Sequence, residues 1–313
     1  MRIISADETA AALPWVDLID GIGLMFRQGC EMPLRHHHTF AVPQEDDGTL
    51  LLMPAWLPGS FIGVKMVNVV PGNSARGMPA IAGAYLLSSA ATGALLAIID
   101  GAELTARRTA AASALAARFL ARQDASSLLI VGAGKLSLNL IEAHSAVRQI
   151  TTVKIWARRI EQAEAIADAA SARGFNAIAV TDLEAEARQA DIISCCTLSR
   201  EPLVMGAWLR PGTHVDLIGA FKSDMRETDS VAVARASVFV DTFDGALGEG
   251  GDIVQAIAEG AIGEDHIQSD LFNLCRDLHQ GRTSDEEITL FKSVGAALED
   301  LAGAIVAYRN TTP

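Results

Sequence analysis

Basic residues are scarce in this sequence: 25 Lys and Arg stand against 38 Asp and Glu, a formal net charge of −13. Nucleic-acid binding relies on clustered Lys and Arg, so the balance argues against a polyanionic partner. Long apolar runs are missing as well. None reaches the length of a membrane span, and the opening MRIISADETA has neither a basic start nor an apolar signal core, so no membrane partner is expected. Cysteine is limited to Cys30, Cys195, Cys196 and Cys275, without metal-ligand or disulfide-framework spacing. Reduced thiols in a cytoplasm are the simplest account, and no metal site is expected. Internal repeats, low-complexity tracts and flexible linkers are absent too. What is there is a chain of 313 residues, 50% hydrophobic and 20% charged, long enough for two domains with well-packed cores.

The pattern changes once along the chain. From about residue 49 to 100, the succession GTLLLMPAWLPGS, FIGVKMVNVV, PGNSARGMP, AIAGAYLLSS and GALLAIIDG suggests an antiparallel meander of strands broken by turns. ELTARRTAAASALAARFLARQD follows as an alanine-rich helix, with acid at its start and Arg in its last turn. Beyond it, candidate strands SSLLIV, TTVKIW, FNAIAV, DIISCC, HVDLIG and SVFVDT alternate with helical or turn segments, which predicts a doubly wound parallel sheet of α/β class. The closing SDEEITLFKSVGAALEDLAGAIVAYR reads as helical, opened by the capping-box pattern Ser284 to Glu287. Packed back on the first domain, it would make that domain discontinuous. The expected division is 1–117 with 296–313, an α+β domain carrying the antiparallel sheet, and 118–295, a Rossmann-type domain.

SLLIVGAGKLSLNLIEAH, residues 127–144, places a glycine turn between a buried strand and an amphipathic helix. Backbone N–H groups and a helix N-terminus there suit an anion. A nucleoside-triphosphate loop would need Gly and Ser or Thr where Leu129 and Leu136 stand, so that reading fails. The dinucleotide pattern G-x-G-x-x-G/A fits as Gly132, Gly134 and Ser137, with Ala133, Lys135 and Leu136 filling the turn. An acidic residue at the end of the second strand usually binds the ribose 2′-OH. Here TTVKIW is followed by Ala157, Arg158 and Arg159, two guanidinium groups suited to a 2′-phosphate. NADPH is therefore the expected cofactor, with NADH also possible. The competing reading is a solvated helix start, with both arginines paired to Glu161 and Glu164.

Two basic residues, Lys65 and Arg108, stand in apolar company. Lys65 shares a strand face with Phe61, Gly63, Val67 and Val69, as an edge-strand charge or as an anchor for an anion. Arg107 is explained by an exposed pair with Glu103. Arg108 shares its helix face with Leu104, Leu115 and Phe119 and points inward, with no carboxylate at i±3 or i±4. A buried guanidinium needs a partner. That partner is long-range, either a substrate carboxylate or a structural Asp or Glu. Arg35 opens RHHHTFAVP, where a strand would turn His36 and His38 one way and His37 the other, a poor start for a metal site.

Together, GVKMVNVVPGNSARGMP, LTARRTAAASALAARFLA, LLIVGAGKLS and SDEEITLFKSVGAALEDLA, in that order, resemble the ornithine cyclodeaminase/mu-crystallin family over nearly the whole chain. The resemblance implies a homodimer, a Rossmann domain and a dimerisation domain that makes much of the substrate site. Lys65 and Arg108 match the family's substrate-binding Lys and Arg, and Arg35 a further carboxylate-binding Arg. The same resemblance sets Val294 and Gly295 near the nicotinamide. Cys196 and Thr197, with Cys195, end the fourth strand, where such sheets meet the cofactor. Asp216 and Asp241 read as helix or turn caps.

One departure bears on activity. Cyclodeaminases of the family carry an Asp after the fifth strand; in HVDLIGAFKSDMRE that place is taken by Phe221, with Asp224 three residues on as a substitute. Phenylalanine neither accepts a proton nor pairs with an ammonium, but offers an apolar wall to ring methylenes. The GAF…MRE version looks like the reductase branch, which reduces the cyclic imino acids Δ1-pyrroline-2-carboxylate and Δ1-piperideine-2-carboxylate to L-proline and L-pipecolate. Two readings compete: an NAD-dependent ornithine cyclodeaminase, and a non-catalytic NADPH and ligand-binding protein like the mu-crystallins. Lys65, one of His36 to His38, or solvent would protonate the imine.

Overall fold

The computed structural model of the protein describes residues 1–311, which form two units. The first comprises residues 1–108 and those from Ala297 onward; the second runs from Thr109 to Ala296.

In the first unit, β1 (Arg2–Ile4) leads into α1 (Ala6–Ala12) and α2 (Trp15–Gln28). A complete capping box starts α1: the Ser5 hydroxyl accepts from the Glu8 N–H and the Glu8 carboxylate accepts from the Ser5 N–H. Helix α2 buries Leu18, Ile19, Ile22, Met25 and Phe26, one stripe at helical spacing. Each such side chain contributes roughly 1.5–3 kcal/mol. β2 (His36–Phe40), β3 (Gly48–Leu57), β4 (Phe61–Val69), β5 (Ile81–Ser89) and β6 (Leu95–Asp100) form the antiparallel meander, and β1 joins the far edge parallel to β6. Helix α3 (Gly101–Leu120) follows β6 directly. Lys65 therefore sits on a central strand, with β3 and β5 on either side, and is no edge charge.

The second unit holds an eight-stranded parallel sheet, ordered β13-β12-β14-β11-β10-β7-β8-β9. Its elements are β7 (Ser127–Val131), α4 (Lys135–Ser145), β8 (Thr152–Trp156), α5 (Ile160–Ser171), β9 (Ala177–Val180), α6 (Leu183–Ala187) and β10 (Ile192–Cys195). Then come β11 (His214–Leu217), α7 (Ser230–Arg235), β12 (Ser237–Val240), α8 (Phe243–Glu249), α9 (Gly251–Ala258), β13 (Ile267–Asp270), α10 (Leu271–Cys275) and β14 (Thr289–Lys292). Leu129, Val131, Ile193, Val215, Val238 and Leu290 share its core, as expected of strands covered on both faces. The chain steps outward from β7 through β8 to β9, then returns to the other side of β7 at β10. That reversal is the topological switch point, beside which such sheets bind ligands.

The closing segment departs from its helical reading. Residues 289–292 form β14, and the helix, α11 (Ala297–Asn310), starts later and packs on β3, β4, β5 and α2. Ser284 and Glu287 do interact, the Glu287 N–H donating to Ser284 Oγ at 3.2 Å, but they make a turn into a strand. Asp216 is likewise no cap. It lies within β11, wholly buried, and accepts from Ser113 Oγ (2.9 Å) and Ser194 Oγ (2.5 Å), with His144 Nε2 at 3.4 Å.

Two ends of the second unit are fastened by charged side chains. The C-terminus of α3 is closed by arginines: Arg148 donates to the carbonyls of Ala117, Arg118, Ala121, Arg122 and Val147, and Arg282 to that of Leu120. Among them, the carbonyls of Ala117, Arg118 and Leu120 lie in the last turn of α3, where a helix end leaves acceptors over. At the N-terminal end of the sheet Asp191 accepts from the Ser126 and Ser127 N–H groups, Ser127 Oγ and Arg122 at 2.8–3.0 Å.

Candidate active site

The glycine turn lies between β7 and α4. Gly132 has φ +126°, and a Cβ there would meet Cys196 Sγ at 2.9 Å, so the turn and the end of β10 touch at the switch point. Gly134 precedes α4 and is exposed; a Cβ built on it meets nothing within 4 Å. Its missing side chain leaves open the space that a pyrophosphate would need to approach the backbone. Ser137 is fully buried and donates to the Gly132 carbonyl at 3.0 Å, which closes the turn on itself. Ala133 and Leu136 are half-buried and Lys135 is exposed at the first position of α4. Glycines at the turn, free space above it and a helix N-terminus fit a dinucleotide diphosphate.

Arg158 and Arg159 follow β8, with Arg159 preceding α5. Both are exposed, and among the described residues neither pairs with Glu161, Glu164 or another carboxylate. At the ends of β10, β11 and β14 the donors converge on two buried carboxylates. Glu227 accepts from Thr197 and Gly219, and Asp241 accepts from the N–H groups of Val294 (2.8 Å) and Gly295 (2.7 Å) and from Ser293 Oγ. Asp241 thus does act on a turn. Burial pushes the thiols of Cys195 and Cys196 up, that of Cys196 to about 12, so neither is a thiolate nucleophile at neutral pH. Phe221 is 39% exposed, and Asp224 lies at the surface paired with Arg200 at 3.2 Å.

In the first unit, Lys65 and Arg108 are brought together, and the agent is a pair of acids that the sequence reading missed. Lys65 Nζ lies 2.7 Å from Asp300 Oδ2; Arg108 Nε donates to Asp300 Oδ1 at 3.0 Å and Nη1 to Glu299 Oε2 at 2.5 Å. All four side chains are at most 8% exposed. The inward-pointing Arg108 is thus explained by structural carboxylates, not by a substrate alone. Burial pushes the Asp300 carboxyl up, but the Arg108 guanidinium and the Lys65 ammonium more than offset this and hold it below the ordinary range. Burial pulls the Lys65 ammonium down, with Asp300 opposing. Two cations face two anions, so the cluster is formally neutral and its side chains are held in place by three ion pairs.

Arg35 lies half-buried just before β2 and is not one of the four. His36, His37 and His38 are all exposed on β2, at the sheet edge, and no group that could hold a metal ion occurs among the described residues. Arg107 makes its pair with Glu103 at 3.2 Å, and also donates to the Leu13 carbonyl and stacks over Trp15.

The family model for the ornithine cyclodeaminase/mu-crystallin family matches residues 6–312. A Δ1-pyrroline-2-carboxylate reductase of Paracoccus denitrificans is 41% identical, the match covering 96% of this chain and 94% of that protein. Among solved structures, the Δ1-pyrroline-2-carboxylate reductase of Thermococcus litoralis, in complex with NADH and L-proline, superposes with a TM-score of 0.91 at 33% identity, over 99% of this chain and 97% of that one. An archaeal alanine dehydrogenase dimer with bound NAD gives 0.88 at 32% identity, over 98% and 95%.

Proposed function

The chain belongs to the ornithine cyclodeaminase/mu-crystallin family, and from that premise we propose that it is an NAD(P)H-dependent oxidoreductase of C=N bonds in cyclic imino acids. More finely, we propose the NADPH-dependent reduction of Δ1-pyrroline-2-carboxylate to L-proline and of Δ1-piperideine-2-carboxylate to L-pipecolate. The observation that carries the reductase reading is the likeness, along nearly the whole chain, to a reductase solved with NADH and L-proline; the preference for NADPH rests on Arg158 and Arg159. Phe221 supports it against ornithine deamination, which needs a carboxylate where Phe221 stands.

Bound NADPH would supply the hydride that reduces the imine carbon. Gly132, Gly134 and the N-terminus of α4 would hold its diphosphate, and Arg158 and Arg159 its 2′-phosphate. Arg108 and Lys65, aimed by Asp300 and Glu299, would bind the substrate carboxylate, with Arg35 as a third contact. Fixing the carboxylate fixes the adjoining C=N carbon, and orientation of this kind supplies much of the rate. The imine nitrogen must carry a proton as the hydride arrives. We take Lys65, whose ammonium burial makes more acidic, as the group that gives one.

A homodimer is also proposed. The face of the meander opposite Lys65 presents Leu52, Ile62, Val64, Met66 and Leu86, all half-exposed. An apolar sheet face of this kind calls for a cover. Light scattering should return twice the 33.0 kDa chain mass; a monomer at micromolar concentration would refute the proposal.

The deciding assay follows nicotinamide absorbance with NADPH or NADH and each fresh cyclic imine, beside an ammonia assay on ornithine. Imine-dependent oxidation without ammonia release supports the reductase. Ammonia from ornithine without net oxidation would show a lyase, and silence in both would point to a binding protein or to a different ketimine. Arg158→Asp should lower the NADPH-over-NADH preference about tenfold, one charged contact to a phosphate. An unchanged ratio would mean the 2′-phosphate is read elsewhere.

A further inference from the structure

At the C-terminal edge of the parallel sheet one buried carboxylate ties two strand ends together. Glu227 Oε1 accepts from the Thr197 N–H at 2.6 Å and from Thr197 Oγ1 at 2.9 Å, while Oε2 accepts from the Gly219 N–H at 2.8 Å. Thr197 follows β10 and Gly219 follows β11, the strand beside it. The two turns are so close that a Cβ on Gly219 would lie 2.0 Å from the Thr197 carbonyl oxygen. The Phe221 N–H donates to the Gly219 carbonyl at 3.1 Å, so the same carboxylate fixes the root of the segment carrying Phe221. Glu227 is itself held from behind. Its N–H and that of Thr228 donate to Asp252 Oδ1, whose Oδ2 takes Lys292 Nζ at 2.9 Å.

We propose that Glu227 is a positioning residue for the nicotinamide cofactor, holding the turns after β10 and β11 in the one arrangement that accepts it. The proposal rests on the oxidoreductase reading above. Both turns lie at or next to the switch point, where a ligand must find them already set. An ionised carboxylate has enough lone pairs for all three donors, and no neutral side chain of this length does. The groups facing Glu227 are Lys292 from β14, Asp252 from α9, and the Cys195 and Cys196 thiols at the end of β10. Burial pushes its carboxyl up to about 7, Lys292 opposing and Asp252 adding to the effect. Protonation weakens it as an acceptor, so the turns are best fixed above that pH.

The test is a fluorescence titration of NADH into wild type, Glu227→Gln and Asp191→Asn, each with a thermal melt. A glutamine must set its NH2 against the donor of Thr197 or of Gly219. Its Kd for NADH should rise about tenfold, as for loss of one charged hydrogen bond. Asp191 holds backbone at the opposite end of the same sheet, so Asp191→Asn should lower the melting temperature and leave Kd within about twofold. Wild-type affinity should also weaken as pH falls through about 7, and Glu227→Gln should flatten that dependence. NADH serves because the 2′-phosphate of NADPH itself titrates near pH 6, as phosphate monoesters do. If NADPH alone binds, the Glu227→Gln comparison is made with it at about pH 8, where that group is ionised. Equal affinity in a folded Glu227→Gln protein overturns the proposal. Should that variant not fold, a wild-type Kd flat across pH 7 overturns it. Failure of wild type to bind either nucleotide would sink the oxidoreductase reading instead.

Discussion

Arg108→Ala should lower kcat/KM for the cyclic imine about a hundredfold and destabilise the fold by roughly 3–5 kcal/mol. The two effects have separate causes. Removing the guanidinium takes away a fork that would hold the substrate carboxylate, two charge-assisted bonds at roughly 1.5–3 kcal/mol each, partly compensated by water. It also leaves Glu299 and Asp300, both essentially unexposed, with Lys65 as the one remaining cation of the four-residue cluster. The pH dependence follows from Asp300. Its carboxyl is held below the ordinary range, so its stabilising contribution is present above the unfolded value near 3.8 and is lost as pH falls through the folded one. Arg108→Ala should therefore flatten the acid limb of a stability–pH curve. Arg108→Lys keeps the charge without the fork and should restore stability more than activity. Urea unfolding with steady-state kinetics checks all of this. Unaltered kinetics in a folded variant would sink the carboxylate clamp, and unaltered stability would show the buried pairs to be worth nothing net.

The second large effect should come from Arg148→Met, with a loss of roughly 3–5 kcal/mol. Arg148 is 7% exposed and donates to five carbonyls within 3.1 Å, without a carboxylate among them. Its charge is balanced by the negative end of α3 and by the oriented peptide groups around it. Methionine fills the volume but donates nothing, so several acceptors at a buried helix end lose their partner together. A loss below about 1 kcal/mol in urea unfolding would mean that water replaces the guanidinium.

Much of the fold was legible because its signals are local. The meander, α3 and the six strands from SSLLIV to SVFVDT announce themselves by apolar runs between turn residues. β14 did not, since TLFK is too short to show a period and the Ser284–Glu287 pattern before it imitates a helix start. β13 reads IQSD, and its polarity hides it. The glycine turn between β7 and α4 was readable because one short segment carries all its parts. The Lys65–Arg108 cluster was only half readable, because Arg108 and Asp300 are 192 positions apart and no periodicity spans that distance. A signal was nonetheless present: Glu299 and Asp300 interrupt the apolar stripe of α11 next to Leu298, Leu301 and Ala302, the mirror image of the basic intrusion at Arg108. Glu227 sits in an irregular stretch, where side-chain direction cannot be inferred from spacing.

The position of β14 has a consequence for how the protein is made. It is synthesised after every other described strand, yet it lies between β11 and β12, which meet only through it. Until residue 292 has left the ribosome, the strands on its two sides cannot be joined into one sheet. The next residues to emerge form α11, whose Glu299 and Asp300 neutralise Lys65 and Arg108. Both units thus wait on β14 and α11. A nascent protein stalled before that point would expose unpaired strand edges and two uncompensated cations, a state suited to capture by chaperones and unable to fold piecemeal from the N-terminus.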